Sequence, residues 1–375
     1  MKVCIVTAFP QDPARPHGGV EAVSVTLVAA LAGRPGLDLQ VVTADRRLTA
    51  PRVDYWQGVP VHRVPWRGRW TLTSALGVAR RDVCAAVTAL APDVVHAHDT
   101  FGIMTRGLPY PSVLTIHGFI HGDTKVAAGR LAGPRAALWR RAEHRTWAEA
   151  DHIIAISPYV RERLAGIARG VIHDIDNPIG VDFFDLPRRD EAPAVFSAAV
   201  ISRRKNTLAL VAAAALLRRT GVLFQMRLAG AIVEPGYGRR VNEQIAALGL
   251  GGHVVCLGPL PSGLVQQELS RARAFALVSR EENSPLGIEE AMAAGVPVVT
   301  SNRCGMPYMV RDGETGFLVD PEDPLDIARR LATVLTDSAR HIAMSERSRS
   351  VARDRFHPDR VAERTVAVYE RAAGG

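Results

Sequence analysis

Short apolar, β-branched runs alternate with longer amphipathic segments along almost the whole chain. In the first half, this pattern predicts strands at residues 3–7, 39–43, 93–97, 113–116, 153–156 and 171–175. Helical spacing of the apolar residues predicts helices at 20–31 and 139–148. Strands that are apolar throughout are typical of sheets buried on both faces, and helices between them indicate parallel βαβ units.

A charged stretch with two prolines, residues 185–193, interrupts this alternation and predicts a domain boundary. The pattern then restarts, with strands expected at 194–199, 224–229, 253–257, 274–278 and 297–300 and helices at 206–218, 239–248, 262–271 and 286–294. A length of 375 residues suits two domains. We predict two doubly wound, Rossmann-like α/β domains, residues 1–185 and 186–355, with a last helix in 356–375 that packs back on the first. Because open α/β sheets bind ligands at the carboxyl ends of their strands, we expect a cleft there.

The composition predicts a globular protein of the cytoplasm, with 47% hydrophobic and 22% charged residues. The longest apolar run, residues 208–217, is far shorter than the roughly 20 residues that span a bilayer. The first apolar run is only as long as a strand, which does not fit a signal peptide. Four cysteines stand far apart without a CxxC pair, which favours a reducing compartment.

The chain is basic, with a formal charge of +8. Such a balance suits nucleic acid, anionic lipid or phosphorylated ligands. The sequence has no zinc-finger spacing, basic heptads or basic strand with interleaved aromatics, so we predict no nucleic-acid partner. Only three of its 46 cationic residues are lysines, Lys2, Lys125 and Lys205. Because lysine is so rare in this chain, a lysine within a candidate site favours a function for that residue.

Residues 281–295 contain two glutamates at a spacing that can direct both carboxylates toward one ligand. Glu282 follows an apolar strand, and Glu290 lies eight positions on, inside the next helix. Neighbouring helix positions point about 100° apart, so Glu289 cannot share the direction of Glu290 and is expected in solvent with Glu281. The backbone N–H groups of residues 283–287 open this helix and can face a phosphate or sugar oxygen.

A basic turn precedes another predicted helix. Lys205 follows Arg203 and Arg204 at the point where this helix begins, and cations at a helix N-terminus suit a diphosphate. The alternative is a solvated basic turn. Near the N-terminus, Gly18 and Gly19 follow the first strand without GxGxxG spacing, and paired glycines allow a ligand to approach the backbone.

Histidines follow two predicted strands, and one interpretation of them is a metal site. His96, His98 and His117 lie at strand ends, and Asp99 and His121 follow closely. Together these residues could bind zinc or a dinuclear metal centre, as in amidohydrolases. A D-x-D triplet, Asp174 and Asp176, arises often by chance and lies at the predicted domain crossing, so we interpret it as a connector.

Several of these motifs resemble retaining glycosyltransferase family 4, which has the GT-B fold. The block 281–295 is similar to its E-x7-E signature, and the segments Val-His-Ala-His and Thr-Ile-His-Gly at residues 95–98 and 115–118 resemble two supporting motifs. The resemblance extends from the Gly-Gly loop to the last helix. Two positions depart from the family pattern. Val200 stands where an arginine is usual, so that Arg203 or Arg204 would supply the second cation, and Asn283-Ser284-Pro285 matches a subgroup.

The resemblance implies that Glu290 binds ribose hydroxyls, Glu282 contacts the donor sugar, and His117 lies near the transferred sugar and diphosphate. The catalytic residues implied are His117, Glu282 and Lys205. The donor-binding residues implied are Gly18, Gly19, Arg203, Arg204, Lys205, Glu282, Asn283, Ser284, Pro285, Leu286, Gly287 and Glu290. The implied reaction is retaining transfer of a sugar from a UDP- or GDP-linked donor to a hydroxyl acceptor, with no metal or other cofactor.

The acceptor surface is expected in loops around residues 56–73 and 118–133. Tryptophans among arginines, at Trp56, Trp66, Trp70, Trp139 and Trp147, are typical of peripheral contact with the inner face of a membrane. They also occur where long side chains cover the edge of a core. Two other functions stay open: a metal-dependent hydrolase that uses His96, His98 and His117, and a catalytically silent sugar-nucleotide-binding protein.

Overall fold

The computed structural model describes residues 1–68, 71–122, 132–189 and 193–374. The chain divides into two compact units, the first formed by Met1–Pro178 with Pro358–Gly375 and the second by Ile179–His357. This division falls a few residues before the boundary expected at residue 185. Residues 190–192 of the expected linker lie outside the described residues, as does Lys125.

The first unit is built on an eight-stranded sheet in the order β3-β4-β2-β1-β5-β6-β7-β8. Its strands are β1 (Lys2–Val6), β2 (Asp38–Asp45), β3 (Arg52–Trp56), β4 (Val59–Pro65), β5 (Val94–His98), β6 (Ser112–Ile116), β7 (His152–Ala155) and β8 (Val171–Asp174). All neighbouring pairs are parallel except β3 with β4. Its described helices are α1 (Gly19–Leu31), α2 (Thr71–Leu76), α3 (Val78–Leu90), α4 (Thr100–Thr105), α5 (Ala132–Glu149), α6 (Pro158–Leu164) and the chain's last helix, α13 (Pro358–Gly374).

The β3–β4 hairpin corrects one expectation. Residues 56–73 were expected to form a loop, but seven of them form β4, which pairs with β2. Gln57 and Gly58 turn the hairpin with φ of 48° and 79°, the left-handed pair that a tight two-residue turn requires. Two prolines among the seven residues of β4 conceal the strand, because proline is depleted in strands.

The last helix, α13, completes the core of the first unit. Its buried side chains include Val361, Val368 and Tyr369, which belong to one apolar cluster with Val3 and Ile5 of β1. A second cluster lies on the other face of the same sheet and includes Cys4 and Val6. The alternation of β1 residues between the two clusters shows why this strand is apolar at consecutive positions.

The second unit is built on a six-stranded, all-parallel sheet in the order β11-β10-β9-β12-β13-β14. Its strands are β9 (Ala194–Ala198), β10 (Gln225–Ala229), β11 (Val254–Gly258), β12 (Ala272–Leu277), β13 (Val298–Ser301) and β14 (Gly316–Val319). Its described helices are α7 (Thr207–Arg219), α8 (Pro235–Ala247), α9 (Ser262–Arg271), α10 (Leu286–Ala293), α11 (Pro324–Thr336) and α12 (Ser338–Arg355). The predicted fold class, two α/β domains with parallel sheets, is confirmed.

The order of the strands in the second sheet determines which loops meet. Strands β9 and β12 are neighbours, although more than 70 residues separate them in the chain. Their carboxyl ends therefore bring the basic turn after β9 beside the acidic loop after β12. Among the described residues, the structure contains no helix both long and apolar enough to cross a membrane.

Candidate functional site

The basic turn and the acidic loop of the second unit meet at one carboxylate. Lys205 Nζ pairs with Glu282 Oε1, and Arg204 Nη1 lies 3.1 Å from Glu282 Oε2. The side chains of Lys205 and Glu282 are only 14% and 9% exposed. Burial lowers the pKa of Lys205, and the charge of Glu282 opposes this shift. The structure therefore brings two of the predicted site residues, Lys205 and Glu282, into contact.

Backbone hydrogen bonds hold these two loops in place. The N–H of Arg280 donates to Arg204 O at 2.8 Å, and the N–H of Gly305 donates to Glu282 O at 2.8 Å. A Cβ atom at position 305 would lie 1.7 Å from Asn283 O, so only glycine allows this approach. The carboxylate of Glu282 is therefore presented by a fixed loop.

The structure distinguishes the two arginines that were candidates for the second cation. Arg204 joins Lys205 at Glu282 and also donates from Nη1 to Glu281 O at 3.0 Å. Arg203 turns away, and its Nε lies 3.2 Å from Glu234 Oε2. Arg204 is thus the cation that the structure brings to Lys205.

Helix α10 begins at Leu286 after Pro285 and packs closely on two strands. A Cβ atom at Gly287 would lie 3.1 Å from the Phe275 ring and 3.3 Å from Ala198 O. The N-terminus of the helix is therefore anchored on β12 and β9. Residues 283–287 lie in the same loop and helix start as Glu282.

Glu289 corrects the expectation that it faces solvent. It is 0% exposed, and Ser284 Oγ donates to its Oε1 at 2.6 Å. The expectation assumed a helix with one exposed face, whereas most of α10 is buried, including Ile288, Ala291 and Met292. Glu281 is exposed, as expected.

Glu290 is half-buried on the same helix. Burial raises the pKa of its carboxyl to about 8, because the charged form loses hydration without a compensating cation. At neutral pH the carboxyl is therefore protonated, so that it can both donate and accept a hydrogen bond. This is suitable for a pair of sugar hydroxyls.

In the first unit, a chain of hydrogen bonds at the ends of β5 and β6 determines which ring nitrogen of His117 carries the proton. His117 Nδ1 lies 3.1 Å from Asn177 Oδ1, and His117 Nε2 lies 3.1 Å from His98 Nδ1. With the Asn177 oxygen as acceptor, His117 carries its proton on Nδ1 and accepts from His98. His98 Nε2 is buried without a hydrogen-bond partner among the described residues. Burial lowers the pKa of both His98 and His117, so both are neutral at pH 7.

His96 is satisfied within the core. Its Nδ1 lies 2.7 Å from the Tyr369 hydroxyl and its Nε2 lies 2.7 Å from Thr115 Oγ1. Burial lowers its pKa to about 3. Within the described ranges, no group of three or more His, Cys, Asp or Glu side chains is arranged to hold a metal ion. Because both nitrogens of His96 are bonded to hydroxyl groups, this geometry does not favour the hydrolase interpretation.

Two acidic residues hold the loop after β6: Asp99, which the sequence suggested as a metal ligand, and Glu143, which the sequence analysis did not select. Asp99 Oδ1 accepts from the N–H groups of His117 at 2.8 Å and Gly118 at 3.3 Å, and Asp99 has a φ of 44°. Such a backbone in a non-glycine residue costs about 1–3 kcal/mol. Glu143 is buried and accepts from the N–H groups of Ile120 and His121 at 2.8 and 3.0 Å. The signal for Asp99 was its position directly after a strand, whereas Glu143 had none.

The Gly-Gly loop lies at the start of α1 in the first unit. Gly18 is the N-cap residue with a φ of 120°, which favours glycine. Gly19 is the first helical residue, and Glu21 Oε2 accepts from the N–H of His17 at 2.6 Å. The helix N-terminus is thus kept free of bulky side chains.

The tryptophans that the structure describes differ in burial. Trp139 and Trp147 are each 4% exposed, so both belong to the core and cannot contact a membrane. Several arginines lie on the same helix, so the sequence pattern did not show that the face with these tryptophans is buried. Trp56 packs edge-on against Phe9, with ring centroids 5.6 Å apart. Trp70 lies outside the described residues.

Comparison with known proteins matches both halves of the chain to glycosyltransferase family models. Residues 179–351 match the family model "Glycosyl transferases group 1", and residues 17–183 match "Glycosyltransferase Family 4". A D-inositol 3-phosphate glycosyltransferase of Nocardioides sp. is 28% identical over 95% of this chain and 85% of its own length.

Two solved structures share the fold. Sucrose-phosphate synthase from Thermosynechococcus elongatus superposes with a TM-score of 0.83 at 21% identity, covering 99% of this chain and 98% of its own. Anabaena Alr3699/HepE in complex with UDP-glucose gives a TM-score of 0.75 at 19% identity, covering 99% and 100%.

Proposed function

This chain belongs to the glycosyltransferases with the GT-B fold, and from that premise we propose that it is a retaining, metal-independent family 4 enzyme. The donor we propose is a nucleoside diphosphate sugar, and UDP is the preferred nucleotide. The complex of the Anabaena neighbour with UDP-glucose supports this choice of donor class.

The observation that carries the proposal is the cluster of Lys205, Arg204 and Glu282. Two cations meet one carboxylate in a largely buried position at the strand ends of the second unit. In the proposed complex, the diphosphate takes up the free donor capacity of Lys205 and Arg204. Charge-assisted hydrogen bonds to phosphate contribute about 1.5–3 kcal/mol each. Glu282 holds the two cations in place before the donor arrives and then faces the sugar.

The proposed reaction is a single transfer on one face of the sugar. A bond forms between the acceptor hydroxyl oxygen and the anomeric carbon while the bond from that carbon to the diphosphate oxygen breaks. The proton of the hydroxyl passes to the leaving diphosphate. Lys205 and Arg204 stabilise the negative charge that develops on the diphosphate, which is the role a divalent cation would otherwise fill.

Glu290 and His117 have supporting roles in this proposal. A protonated Glu290 carboxyl offers one donor and one acceptor to the ribose hydroxyls of the nucleotide. His117 is neutral, and both of its ring nitrogens are bonded to Asn177 and His98, so in this proposal it is a fixed, uncharged group of the first unit. We assign acceptor binding to the first unit.

The test replaces Lys205 by methionine, which keeps an apolar stem and removes the charge. Lys205→Met should lower kcat/KM for UDP-glucose at least about tenfold, because one charge-assisted contact to the leaving group is lost. Arg219→Met removes an exposed cation from the far end of α7 and serves as the matched control. Release of UDP in the presence of an acceptor is the measurement.

The same assay separates the alternatives. Full activity in excess EDTA is expected, whereas loss on chelation with recovery on zinc addition would favour a hydrolase that uses His96, His98 and His117. A protein that binds UDP-glucose and never releases UDP with any acceptor would be a silent binder. Unchanged kcat/KM in Lys205→Met would contradict the diphosphate assignment.

A further inference from the structure

One cavity of the first unit lies where strands β1, β2 and β4 end. It has a volume of about 570 Å³, within the usual range of small-ligand sites. Phe9 and Gln11 follow β1, Asp45 ends β2, and Trp66 follows β4. His17, next to the Gly-Gly loop, also lines it. The residues proposed to bind the nucleotide, Arg204, Lys205, Glu282 and Glu290, do not line this cavity.

The acidic residues of this cavity are committed to the loops that form it. Asp45 accepts from the Gln11 amide at 2.6 Å and from the N–H of Arg47 at 2.8 Å. Although burial alone would raise the pKa of Asp45, these hydrogen bonds hold it below its usual value, so the group is ionised. Glu21 accepts from the N–H of His17, and Asp12 accepts from the N–H of Ala14 at 3.1 Å.

The cationic side chains retain more donors than their protein contacts consume. Arg46 stacks on Trp66, with its guanidinium carbon 5.1 Å from the ring centroid, and makes long contacts of 3.5 and 3.3 Å to Gly68 O and Thr71 Oγ1. The guanidinium of Arg47 makes no hydrogen bond or ion pair with any residue that the structure describes. Each guanidinium offers five N–H donors in a planar fork that matches phosphate oxygens.

Trp66 is the platform on which Arg46 stacks in the cavity wall. The wall thus combines two guanidinium groups with carboxylates that already accept from the protein. A ligand rich in acceptor oxygens complements this arrangement.

We propose that this cavity binds the acceptor and that the acceptor carries a phosphate group. This inference rests on the proposed function, since it names the substrate class of that reaction. Arg46 and Arg47 bind the phosphate oxygens, and the sugar or polyol part occupies the remaining volume. The phosphate belongs either to a soluble polyol phosphate or to a lipid headgroup, because both present the same oxygens.

The experiment measures binding to the full chain with UDP present in excess, so that the diphosphate site of Lys205 is occupied. The probes are glycerol 3-phosphate, glycerol as its neutral match, and vesicles of phosphatidylglycerol or phosphatidylcholine. The variants are Arg47→Gln and Arg46→Gln/Arg47→Gln. Arg81→Gln removes an exposed arginine of α3 outside the cavity and is the control. Dissociation constants for the soluble probes come from titration calorimetry, and vesicle binding is measured by co-sedimentation.

The expected result is that glycerol 3-phosphate binds measurably more tightly than glycerol and that Arg47→Gln weakens it at least about fivefold, since an exposed charged contact is lost. The double variant should lose more, and Arg81→Gln should match the wild type. Equivalent loss of binding to phosphatidylglycerol vesicles assigns the phosphate to a lipid, and loss confined to the soluble probe assigns it to a free acceptor.

Equal affinity for glycerol and glycerol 3-phosphate would overturn the inference, and so would phosphate binding that the double variant leaves unchanged. UDP binding is measured first on each sample. A protein that binds UDP but not glycerol 3-phosphate refutes only the phosphate acceptor. A protein that binds neither refutes the proposed function as well.

Discussion

Glu290 is an acid that folding keeps protonated. Its carboxyl is raised to a pKa of about 8 by burial in the second unit, while Glu282 of the same block faces two cations. Two glutamates eight positions apart thus have opposite environments. The neutral carboxyl suits hydroxyl groups, and the paired carboxylate suits the neighbourhood of a diphosphate.

Stability should therefore decrease as pH rises through the titration of Glu290. In the unfolded chain the carboxyl ionises near 4.5, and in the folded chain near 8, so the folded state binds the extra proton between these values. The free energy of unfolding loses at most about 1.4 kcal/mol per pH unit in this window from this group. The stability of Glu290→Gln relative to the wild type should rise from pH 4.5 to 8 and then become constant.

Urea denaturation at a series of pH values checks this expectation, and Glu281→Gln, at an exposed position, is the control. Parallel pH profiles of wild type and Glu290→Gln would show that burial does not perturb this carboxyl.

Sequence patterns selected Lys205, Glu282 and Glu290 as candidates, because Lys205 and Glu282 follow strands and Glu290 lies in the helix after Glu282. They did not identify which arginine joins Lys205. That choice depends on Glu234, which lies 31 positions from Arg203 in the chain and draws its guanidinium away. Glu143 was missed for the same reason, and Asp99 was suggested only as a metal ligand, because both residues accept N–H groups of a loop that is distant in sequence.

At the scale of elements, the last helix secures the strand that carries His96. Tyr369 of α13 is fully buried, and its hydroxyl lies 2.7 Å from His96 Nδ1 on β5. His96 then contacts Thr115 on β6 through its other nitrogen. A helix from the end of the chain is thus joined to two central strands of the first unit by polar contacts inside an apolar core.

Tyr369→Phe should destabilise the protein by about 1–3 kcal/mol, because the buried His96 nitrogen loses its partner while the ring packing is retained. For a unit of this size, each kcal/mol lowers Tm by roughly 2–4 °C. Tyr55→Phe, at a tyrosine that is 74% exposed, should leave Tm unchanged. Differential scanning calorimetry makes the comparison, and equal Tm values for Tyr369→Phe and the wild type would show that the contact contributes nothing.

Periodicity predicted elements well where the chain is uniformly apolar and poorly where proline or shortness intervened. Strands β1, β5 and β9 are buried on consecutive positions and were recognisable for that reason. Strand β4 contains two prolines, and β14 has only four residues and begins with glycine, so neither was predicted. The order of strands, which places β9 beside β12, is a tertiary property that periodicity does not carry.

At the scale of the whole molecule, two units with separate apolar cores divide the chemistry. The cluster around Val195 and Leu210 belongs to the second unit and that around Val3 and Tyr369 to the first. The proposed nucleotide-binding residues Lys205, Glu282 and Glu290 all lie in the second unit. Nucleotide binding should therefore stabilise the second unit before it affects the first.

UDP should protect the amides of the second unit from hydrogen exchange, most strongly in residues 202–208 and 281–295, where the proposed ligand contacts lie. A ligand at a free concentration of 100 Kd stabilises the state that binds it by about 2.7 kcal/mol, which corresponds to roughly hundredfold slower exchange for amides that require this unit to unfold. GDP, TDP and ADP at the same concentration should protect less, because UDP is the proposed nucleotide and these three carry other bases. Hydrogen exchange with mass spectrometry resolves these segments. Protection restricted to strands of the first unit would contradict the assignment of the nucleotide to the second unit. Equal protection by all four nucleotides would contradict the preference for UDP, because the recognition of one base requires specific contacts in the unit that binds it.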